Sequence, residues 1–154
     1  MWFSRKQVTK SPQGQAGAGT GQNEMSQSTT KRRGDAAESL ALAHLLKAGC
    51  KWVASNYRTP GRGGGEIDLI MRAPDGTLLF VEVRQRSGQS HGGAGASIGA
   101  VKQRRIIFAA RHYLMRLSSP PPCRFDVVLV QGKGTLAEPQ NMHIEWLCGA
   151  FDAS

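Results

Sequence analysis

The chain has 154 residues, which suits one domain, and its 40% of hydrophobic residues are enough for a modest core. It carries 20 Lys and Arg against 11 Asp and Glu, and this formal charge of +9 favours a polyanionic partner, either nucleic acid or an acidic membrane surface. Three widely spaced cysteines exclude a disulfide framework, and the lack of an apolar run of about 18 residues excludes a transmembrane helix.

Residues 1–33 are rich in Gly, Gln, Ser and Thr and contain six basic residues and one acidic residue. Such a composition cannot bury enough apolar surface to offset its ordering entropy, which predicts a disordered basic tail before a domain at 34–154. The segment lacks the apolar stretch of a secretory signal, so we expect a cytoplasmic protein. A translation start at Met25 is a further hypothesis for this region.

The first predicted element is a helix. Asp35 and Glu38 have the spacing of a capping box, which predicts that the helix begins there, and Gly49 ends it. Its predicted inward residues are leucines: Leu40, Leu42, Leu45 and Leu46. A short strand at 52–57 and a glycine-rich loop at 59–65 follow.

Two further strands, 66–71 and 78–83, flank Pro74-Asp75-Gly76 and predict a hairpin with a three-residue turn. A glycine-rich loop at 85–97 then leads to a second helix at 98–117. The candidate inward residues of this helix are Val101, Ile106, Phe108, Ala109 and Tyr113. Strands at 125–130 and 142–147 complete an α/β protein with the order α-β-β-β-α-β-β.

The predicted hairpin places two carboxylates together. With a three-residue turn, Asp68 lies opposite Glu82 on one face, and Glu66 lies opposite Arg84, with paired Cβ atoms about 5 Å apart. Two carboxylates at that separation repel each other unless a cation lies between them. Mg²⁺, with Mn²⁺ as the alternative, is the expected occupant because hard cations prefer oxygen ligands. The structural alternative is a Glu66–Arg84 ion pair beside two solvated acids.

The stretch from Arg84 to Arg124 contains eight basic residues and no acidic residue. This segregation of charge favours nucleic acid over a membrane as the partner. The side chains expected to contact phosphates are those of Arg86, Lys102, Arg104 and Arg105, with Arg111 and Arg116 further along the second helix. Such contacts give an affinity that is largely independent of nucleic-acid sequence. The alternative interpretation is an ordinary solvated helix face.

Several motifs resemble, in order and spacing over residues 34–130, the YraN-type family of uncharacterised bacterial proteins. They are Gly34-Asp35-x-x-Glu38, Asn56-Tyr57-Arg58, Gly65-Glu66-Ile67-Asp68-Leu69-Ile70, Phe80-Val81-Glu82-Val83-Arg84 and Arg124-Phe125-Asp126-Val127-Val128. The resemblance implies a restriction-endonuclease-like fold, with a mixed central sheet flanked by helices, and a similarity to archaeal Holliday junction resolvases. It therefore implies a magnesium-dependent endonuclease that acts on DNA. A homodimer is implied as well, because a symmetric junction needs two sites.

The catalytic pattern that the resemblance implies is a helical Glu, a strand Asp and then Glu-x-Lys. Here it falls on Glu38, Asp68 and Glu82, with Arg84 in the place of the lysine. Arginine keeps the positive charge but is effectively never deprotonated, so a nucleic-acid-binding module with impaired catalysis is the alternative function. A third hypothesis is a structural or interaction protein in which the acidic strand pair serves only stability.

Two side chains leave alternatives open within this pattern. Lys102 on the second helix is another source of an ammonium group. Glu38 has a purely structural interpretation, because the last residue of a capping box hydrogen-bonds the backbone N–H of the first, here Asp35.

Overall fold

The computed structural model of the chain describes residues 21–86, 98–132 and 137–153. Its elements are α1 (Gly21–Lys47), β1 (Lys51–Arg58), β2 (Glu66–Arg72), β3 (Leu78–Arg86), α2 (Ala100–Leu114), β4 (Cys123–Gly132) and β5 (Met142–Phe151), with a 3-10 helix at Pro139–Asn141 before β5. The predicted α/β class and element order are confirmed. Neither helix in these ranges combines the length and the apolar character that crossing a membrane requires.

The five strands form one mixed sheet in the order β1-β2-β3-β4-β5. Neighbouring strands are antiparallel except β3 and β4, which are parallel. A parallel pair needs a crossover connection, and α2 lies in that connection. This topology is the mixed sheet flanked by helices that the family resemblance implied.

The turn between β2 and β3 sets their register. The Ala73 N–H donates to the Thr77 carbonyl at 2.8 Å, and the Gly76 N–H donates to the Ala73 carbonyl at 2.9 Å. Gly76 has φ +91°, a left-handed conformation that favours glycine at the end of a three-residue hairpin turn. Ile70 consequently pairs with Phe80, which is the predicted register.

A hydrophobic layer lies on each face of the sheet. Leu40 and Leu45 of α1 belong to one layer together with Val81, and Ile106 of α2 belongs to the other together with Phe80. Because side chains alternate along a strand, consecutive residues of β3 face different helices. Glu82 has the same parity as Phe80 and therefore points towards the side of the sheet on which α2 packs.

The predicted start of the first helix at Asp35 is wrong. In the structure α1 begins at Gly21, and the Asp35 carbonyl accepts a 2.9 Å hydrogen bond from the Ser39 hydroxyl inside the helix. Residues 21–33, predicted to belong to the disordered tail, thus extend a helix whose later turns pack on the sheet, and their Gln, Lys and Arg residues favour such an extension. Residues 1–20 lie outside the described residues.

Three of the residues predicted to face inward are exposed. Leu46 is 47% exposed, Val101 63% and Phe108 53%. The inward face of α2 is formed by Ile106, Ala109 and Ala110. Phe108 lies about 200° around the helix from Ile106, so it points to the opposite side.

Candidate metal centre

The strands β2 and β3 separate at Asp68 and Glu82. Their pairing ends at Leu69 and Val81, and the next residue on each strand is one of the two carboxylates. Beyond this point β2 remains paired with β1, and β3 remains paired with β4. The two carboxylates that the hairpin register predicted to be opposite each other therefore lie at the mouth of a fork in the sheet.

The carboxylate of Asp68 is held by the backbone at this fork. Its Oδ2 atom accepts a 2.8 Å hydrogen bond from the Val83 N–H. Burial raises the pKa of Asp68, while this hydrogen bond, a second one with the Glu82 side chain and the Lys102 charge oppose the rise. The contact fixes one oxygen of Asp68 and orients the other one.

The carboxylate of Glu82 is the most constrained group of the site. Glu82 is 7% exposed, and its Oε1 atom lies 3.3 Å from the Lys102 ammonium nitrogen. No hydrogen-bond donor among the described residues reaches the buried Oε2 atom. Burial raises the pKa of Glu82 to about 8; the charge of Asp68 and a side-chain hydrogen bond to Asp68 add to the rise, and the attraction of Lys102 opposes it. When Glu82 is protonated, its own O–H can be the donor of that hydrogen bond, so the Oε2 atom lacks a donor chiefly in the ionised form. A buried acceptor without a donor is costly, and a cation removes that cost.

Glu38 brings a third carboxylate towards this pair from α1. Burial raises the pKa of Glu38, the charge of Asp68 raises it further, and a hydrogen bond from the Asn56 side chain opposes both. Because α1 continues through Asp35 without a break, the capping-box role proposed for Glu38 is wrong. Its side chain is therefore available to the fork.

Glu66 forms an ion pair with a different arginine from Arg84, the partner that the structural alternative expected. Glu66 forms an ion pair with Arg58 of β1, with an Nη2–Oε1 distance of 3.0 Å. Arg84 and Arg86 lie on β3 beyond the fork and are half-buried. The chain enters the predicted glycine-rich loop after Arg86, and residues 87–97 of that loop lie outside the described residues.

The basic residues predicted on the second helix occupy different places. Lys102 reaches Glu82, whereas Arg105 donates through Nε to the Gly64 carbonyl at 3.3 Å. Arg104 is exposed. Only Lys102 of these three lies within the carboxylate cluster, and the other two lie along the helix beside it.

Gly65 allows α2 to approach this closely. A Cβ atom at Gly65 would lie 2.9 Å from the Ala109 Cβ and would overlap the Arg105 carbonyl oxygen. The loop that joins β1 to β2 is closed by a hydrogen bond between its two ends. The Gly65 N–H donates to the Thr59 hydroxyl at 2.7 Å. The glycine of the Gly65-Glu66-Ile67-Asp68 motif thus sets the distance between α2 and the start of β2.

The available ligands fit magnesium better than a metal whose ligands must all come from the protein. Within residues 21–86, 98–132 and 137–153, no three His, Cys, Asp or Glu side chains lie together in an arrangement that could hold a metal ion. Mg²⁺ is commonly bound by one or two carboxylates, and waters and substrate phosphates complete its shell. Asp68 and Glu82 would supply such a pair, and the Glu82 Oε2 atom, which no donor of the described residues reaches, would be an acceptor for the ion.

Asn56 is a site residue that the sequence reasoning missed. It contacts Glu38 and has φ +51°, a left-handed conformation that few residues other than glycine adopt. Asparagine tolerates this conformation better than most residues, so an asparagine inside an otherwise regular strand was the available signal. The Val83 N–H was missed as well, because a backbone donor leaves no trace in the sequence.

Comparison with known proteins gives a consistent set of relatives. The sequence model of the family described as Uncharacterised protein family UPF0102 matches residues 37–130. A UPF0102 protein of Polaromonas naphthalenivorans is 68% identical over 155 residues, and one of another Polaromonas strain is 67% identical over 154, in both cases covering 100% of each chain. A UPF0102 protein of Albidiferax ferrireducens is 66% identical over 125 residues, which cover 81% of this chain and 91% of that protein. The matched region contains Glu38, Asp68, Glu82 and Lys102.

Proposed function

The chain belongs to the uncharacterised protein family UPF0102, as its resemblance to the YraN-type family predicted, and we propose that it is a magnesium-dependent endonuclease of the resolvase-like type. The observation that carries the proposal is the Glu82 carboxylate, buried beside Asp68 at the fork of the sheet, with one oxygen that no hydrogen-bond donor of the described residues reaches. In its ionised form, a side chain arranged in this way destabilises the cation-free protein, so a role in cation binding explains it better than a role in stability.

Asp68 and Glu82 are the residues that would hold the ion, with Mn²⁺ as the alternative to Mg²⁺. When bound, the cation polarises a phosphodiester oxygen and lowers the pKa of an attacking water. The Val83 N–H keeps the Asp68 carboxylate in place before the ion arrives. The protein thereby provides a preorganised anionic site at the end of two rigid strands.

Lys102 is the residue that supplies the ammonium group. It lies 3.3 Å from Glu82, on the side of the sheet covered by α2, and it can donate to a phosphate held at the fork. A positive charge there stabilises the negative charge that develops on phosphate during hydrolysis. In this proposal Lys102 has the role that the family pattern gives to position 84, and Arg84 remains as a second phosphate ligand.

Glu38 would orient the water that attacks the phosphate. Its carboxylate is half-buried, lies within the field of Asp68 and is oriented by Asn56. A carboxylate in this place accepts a hydrogen bond from a water and so orients it towards the phosphate.

Nucleic acid is the proposed substrate, and DNA is the form that the resemblance favours. The fork lies next to the stretch of eight basic residues without an acidic residue, from Arg84 to Arg124. Arg86, Arg104 and Arg105 would contact phosphates on either side of the cleaved bond. A homodimer, which would offer two such sites to a symmetric junction, is part of the same proposal.

The test is a cleavage assay on labelled four-way junction, flap, duplex, single-stranded DNA and RNA, with Mg²⁺ or Mn²⁺. We expect cleavage of at least one substrate, and we expect Asp68→Asn to abolish it without weakening binding. Glu145→Gln, which removes an exposed carboxylate of β5, is the matched control and should cut normally. If every substrate is bound and none is cut, the endonuclease proposal fails. The catalytically impaired nucleic-acid-binding module, favoured by Arg84 in place of lysine, would then replace it.

A further inference from the structure

The outer face of α2 carries a line of exposed apolar side chains. Val101, Phe108 and Met115 are 63%, 53% and 77% exposed, and seven residues separate each from the next. Seven residues are close to two helical turns, so the three side chains form one stripe along the helix. We call this stripe, with Arg104 and Arg111 beside it, the outer face of α2.

Arginines border the apolar stripe. Arg104 and Arg111 are also seven residues apart and lie roughly 40–60° from Phe108 around the helix. Both are exposed, and Arg111 donates a long hydrogen bond, 3.5 Å, to the Ala153 carbonyl. Since α2 contains no acidic residue, the outer face combines an aromatic ring with positive charge that its own helix does not neutralise.

A second copy of the chain fits this surface poorly. Helix pairing through a seven-residue repeat needs apolar side chains at two positions of each repeat. The stripe supplies one, and the positions three and four residues on are Arg104 and Arg105 in one repeat and Arg111 and His112 in the next. Two copies packed through this face would bring arginines against arginines.

A lipid surface also fits poorly. A helix that lies in a membrane interface buries a broad apolar face among the lipids. The broad apolar face of α2 is formed by Ile106, Ala109 and Ala110, and it is packed against the sheet. The stripe that remains outside is one residue wide.

We propose that the outer face of α2 binds an unpaired nucleic-acid strand, with a base stacked on Phe108 and phosphates on Arg104 and Arg111. Base stacking on aromatic side chains and phosphate contacts to flanking cations are the two interactions by which proteins hold single strands. The bases of a duplex are already stacked and paired, so they cannot use Phe108 in the same way. Lys102 in the first turn of α2 lies about 120° around the helix from Phe108, so a strand held on the outer face would reach the carboxylates at the fork by crossing the first turn of the helix.

This inference deepens the proposed function and relies on it for the nucleic-acid nature of the substrate. It specifies the substrate class as nucleic acid in which an unpaired stretch adjoins the bond to be cut, such as a flap or an open branch. The unpaired strand would be held along α2, and the adjoining phosphate would lie at Asp68 and Glu82.

The test is fluorescence anisotropy of the full chain with a labelled 20-nucleotide single strand and with its duplex, in EDTA so that no cation is bound. We expect Phe108→Ala to weaken single-strand binding about tenfold, the loss typical of one stacked base, and to change duplex binding less than about twofold. Phe108→Tyr should restore the affinity. Trp52→Ala removes an aromatic side chain of similar exposure, 55%, from β1 and should leave both affinities unchanged.

The arginines are tested by the salt dependence of the same titration. The double variant Arg104→Gln/Arg111→Gln should lower the slope of log affinity against log salt by about one to two for the single strand. The matched control is Lys47→Gln/Lys51→Gln, which removes two exposed charges at the junction of α1 and β1 and should leave the slope unchanged.

The outcomes separate this inference from the proposed function. Equal effects of Phe108→Ala on single strand and duplex, or no effect on either, would overturn the inference even if cleavage dependent on Asp68 is found. Self-association or binding to anionic vesicles that Phe108→Ala abolishes would overturn it as well. Single-strand binding that depends on Phe108, in a protein that cuts no substrate, would leave the inference standing and remove only the endonuclease.

Discussion

Glu82 is stabilised in its protonated form by the cation-free protein. Its pKa of about 8 lies well above its ordinary value of 4.5, mainly because the side chain is buried. A carboxyl group whose pKa is higher in the folded than in the unfolded state contributes stability at low pH and loses that contribution as the pH rises. The contribution of Glu82 is therefore complete below about pH 4.5 and lost by about pH 8.

The first prediction concerns this pH dependence. In EDTA, we expect Glu82→Gln to be more stable than the wild type at pH 9 by about 1–3 kcal/mol, because a buried charge with an unpartnered oxygen is removed. At pH 4.5 the two proteins should have nearly the same free energy of unfolding. Urea denaturation at both pH values measures the difference, with Glu145→Gln as the control. Parallel pH profiles for wild type and Glu82→Gln would contradict the raised pKa.

The second prediction assigns the ammonium group to Lys102. We expect Lys102→Met to lower the cleavage rate about 100-fold while cation binding persists, because one electrostatic donor to the reacting phosphate is lost. Adding Arg84→Lys to that variant should recover part of the rate, since the ammonium group then lies at the position of the family pattern. If Lys102→Met cuts at the wild-type rate, the ammonium group comes from elsewhere.

At the level of single residues, the sequence predicted the pair of carboxylates but not the side chains and backbone groups around them. Asp68 and Glu82 followed from one turn, because Pro74-Asp75-Gly76 sets the register and strand alternation sets the face. The contact between Lys102 and Glu82 depends on how α2 packs across the sheet, which no local pattern encodes. The exposure of Phe108 was misjudged for the same reason.

Among the elements, α2 is placed by its contact with the chain ahead of β2. A side chain at Gly65 would collide with the backbone of the helix at Arg105 and with Ala109. Moving the helix away would also move Lys102 away from Glu82. The position of one glycine thus determines both the packing of α2 and the geometry of the fork.

The third prediction tests this packing. We expect Gly65→Ala to destabilise the protein by about 1–3 kcal/mol or more, the usual cost of overfilling a packed contact, and to weaken cation binding. Gly34→Ala is the control, because a Cβ atom there meets nothing within 4 Å and lies in α1. It should stabilise the protein by about 0.5–1 kcal/mol, the helix preference of alanine over glycine. Equal stabilities of the two variants by thermal denaturation would contradict this role of Gly65.

The strand pair β4–β5 is held at an irregularity by Asp126. Its carboxylate is fully buried and accepts hydrogen bonds of 2.9 Å from the Arg124 Nε, the Trp146 Nε1 and the Gly149 N–H. The register of the two strands shifts between Phe125 and Val127, which is where Asp126 lies. The Arg124-Phe125-Asp126 motif is thus structural, and it explains an acid inside an apolar strand without a catalytic role.

The fourth prediction follows from those contacts. We expect Asp126→Ala to destabilise the protein by at least about 2 kcal/mol, because three part-buried N–H groups lose the acceptor that they share. Cation binding by the folded variant should be unchanged. Urea denaturation and calorimetry give the two readings, and Asp152→Ala, at an exposed acid near the C-terminus, is the control. Loss of cation binding by folded Asp126→Ala would contradict the purely structural role.

The helices and strands were largely predictable from the sequence. The errors lie at the ends of elements, whose positions depend on tertiary packing. Apolar segments between turn signals predicted all five strands and their order along the chain, because each strand packs apolar side chains against a helix or a neighbouring strand. The start of α1 was placed 14 residues too late because Asp35 and Glu38 imitate a cap inside a longer helix. The fork itself was not predictable, since each strand continues regularly and only its partners change.

For the molecule as a whole, charge is separated along the chain, and the fold brings the two signs together at the fork, where Lys102 of the basic stretch lies 3.3 Å from Glu82. The carboxylates of Asp68 and Glu82 lie next to each other at the fork and Glu38 lies within the field of Asp68, whereas the stretch from Arg84 to Arg124 contributes basic residues and no acidic ones. A cation at the fork would place positive charge where the acids now repel one another and would join it to the basic surface of α2. Nucleic acid would then meet attractive charge along its whole path across the protein.

The most direct test of the central claim is isothermal titration of Mg²⁺ and Mn²⁺ into the wild type, Asp68→Asn, Glu82→Gln and the control Glu145→Gln at pH 8. We predict one binding site in the wild type and the control, and its loss in each of the two fork variants. Equal binding by all four proteins would contradict a metal centre at the fork. The absence of binding by the wild type, with and without DNA present, would contradict it as well.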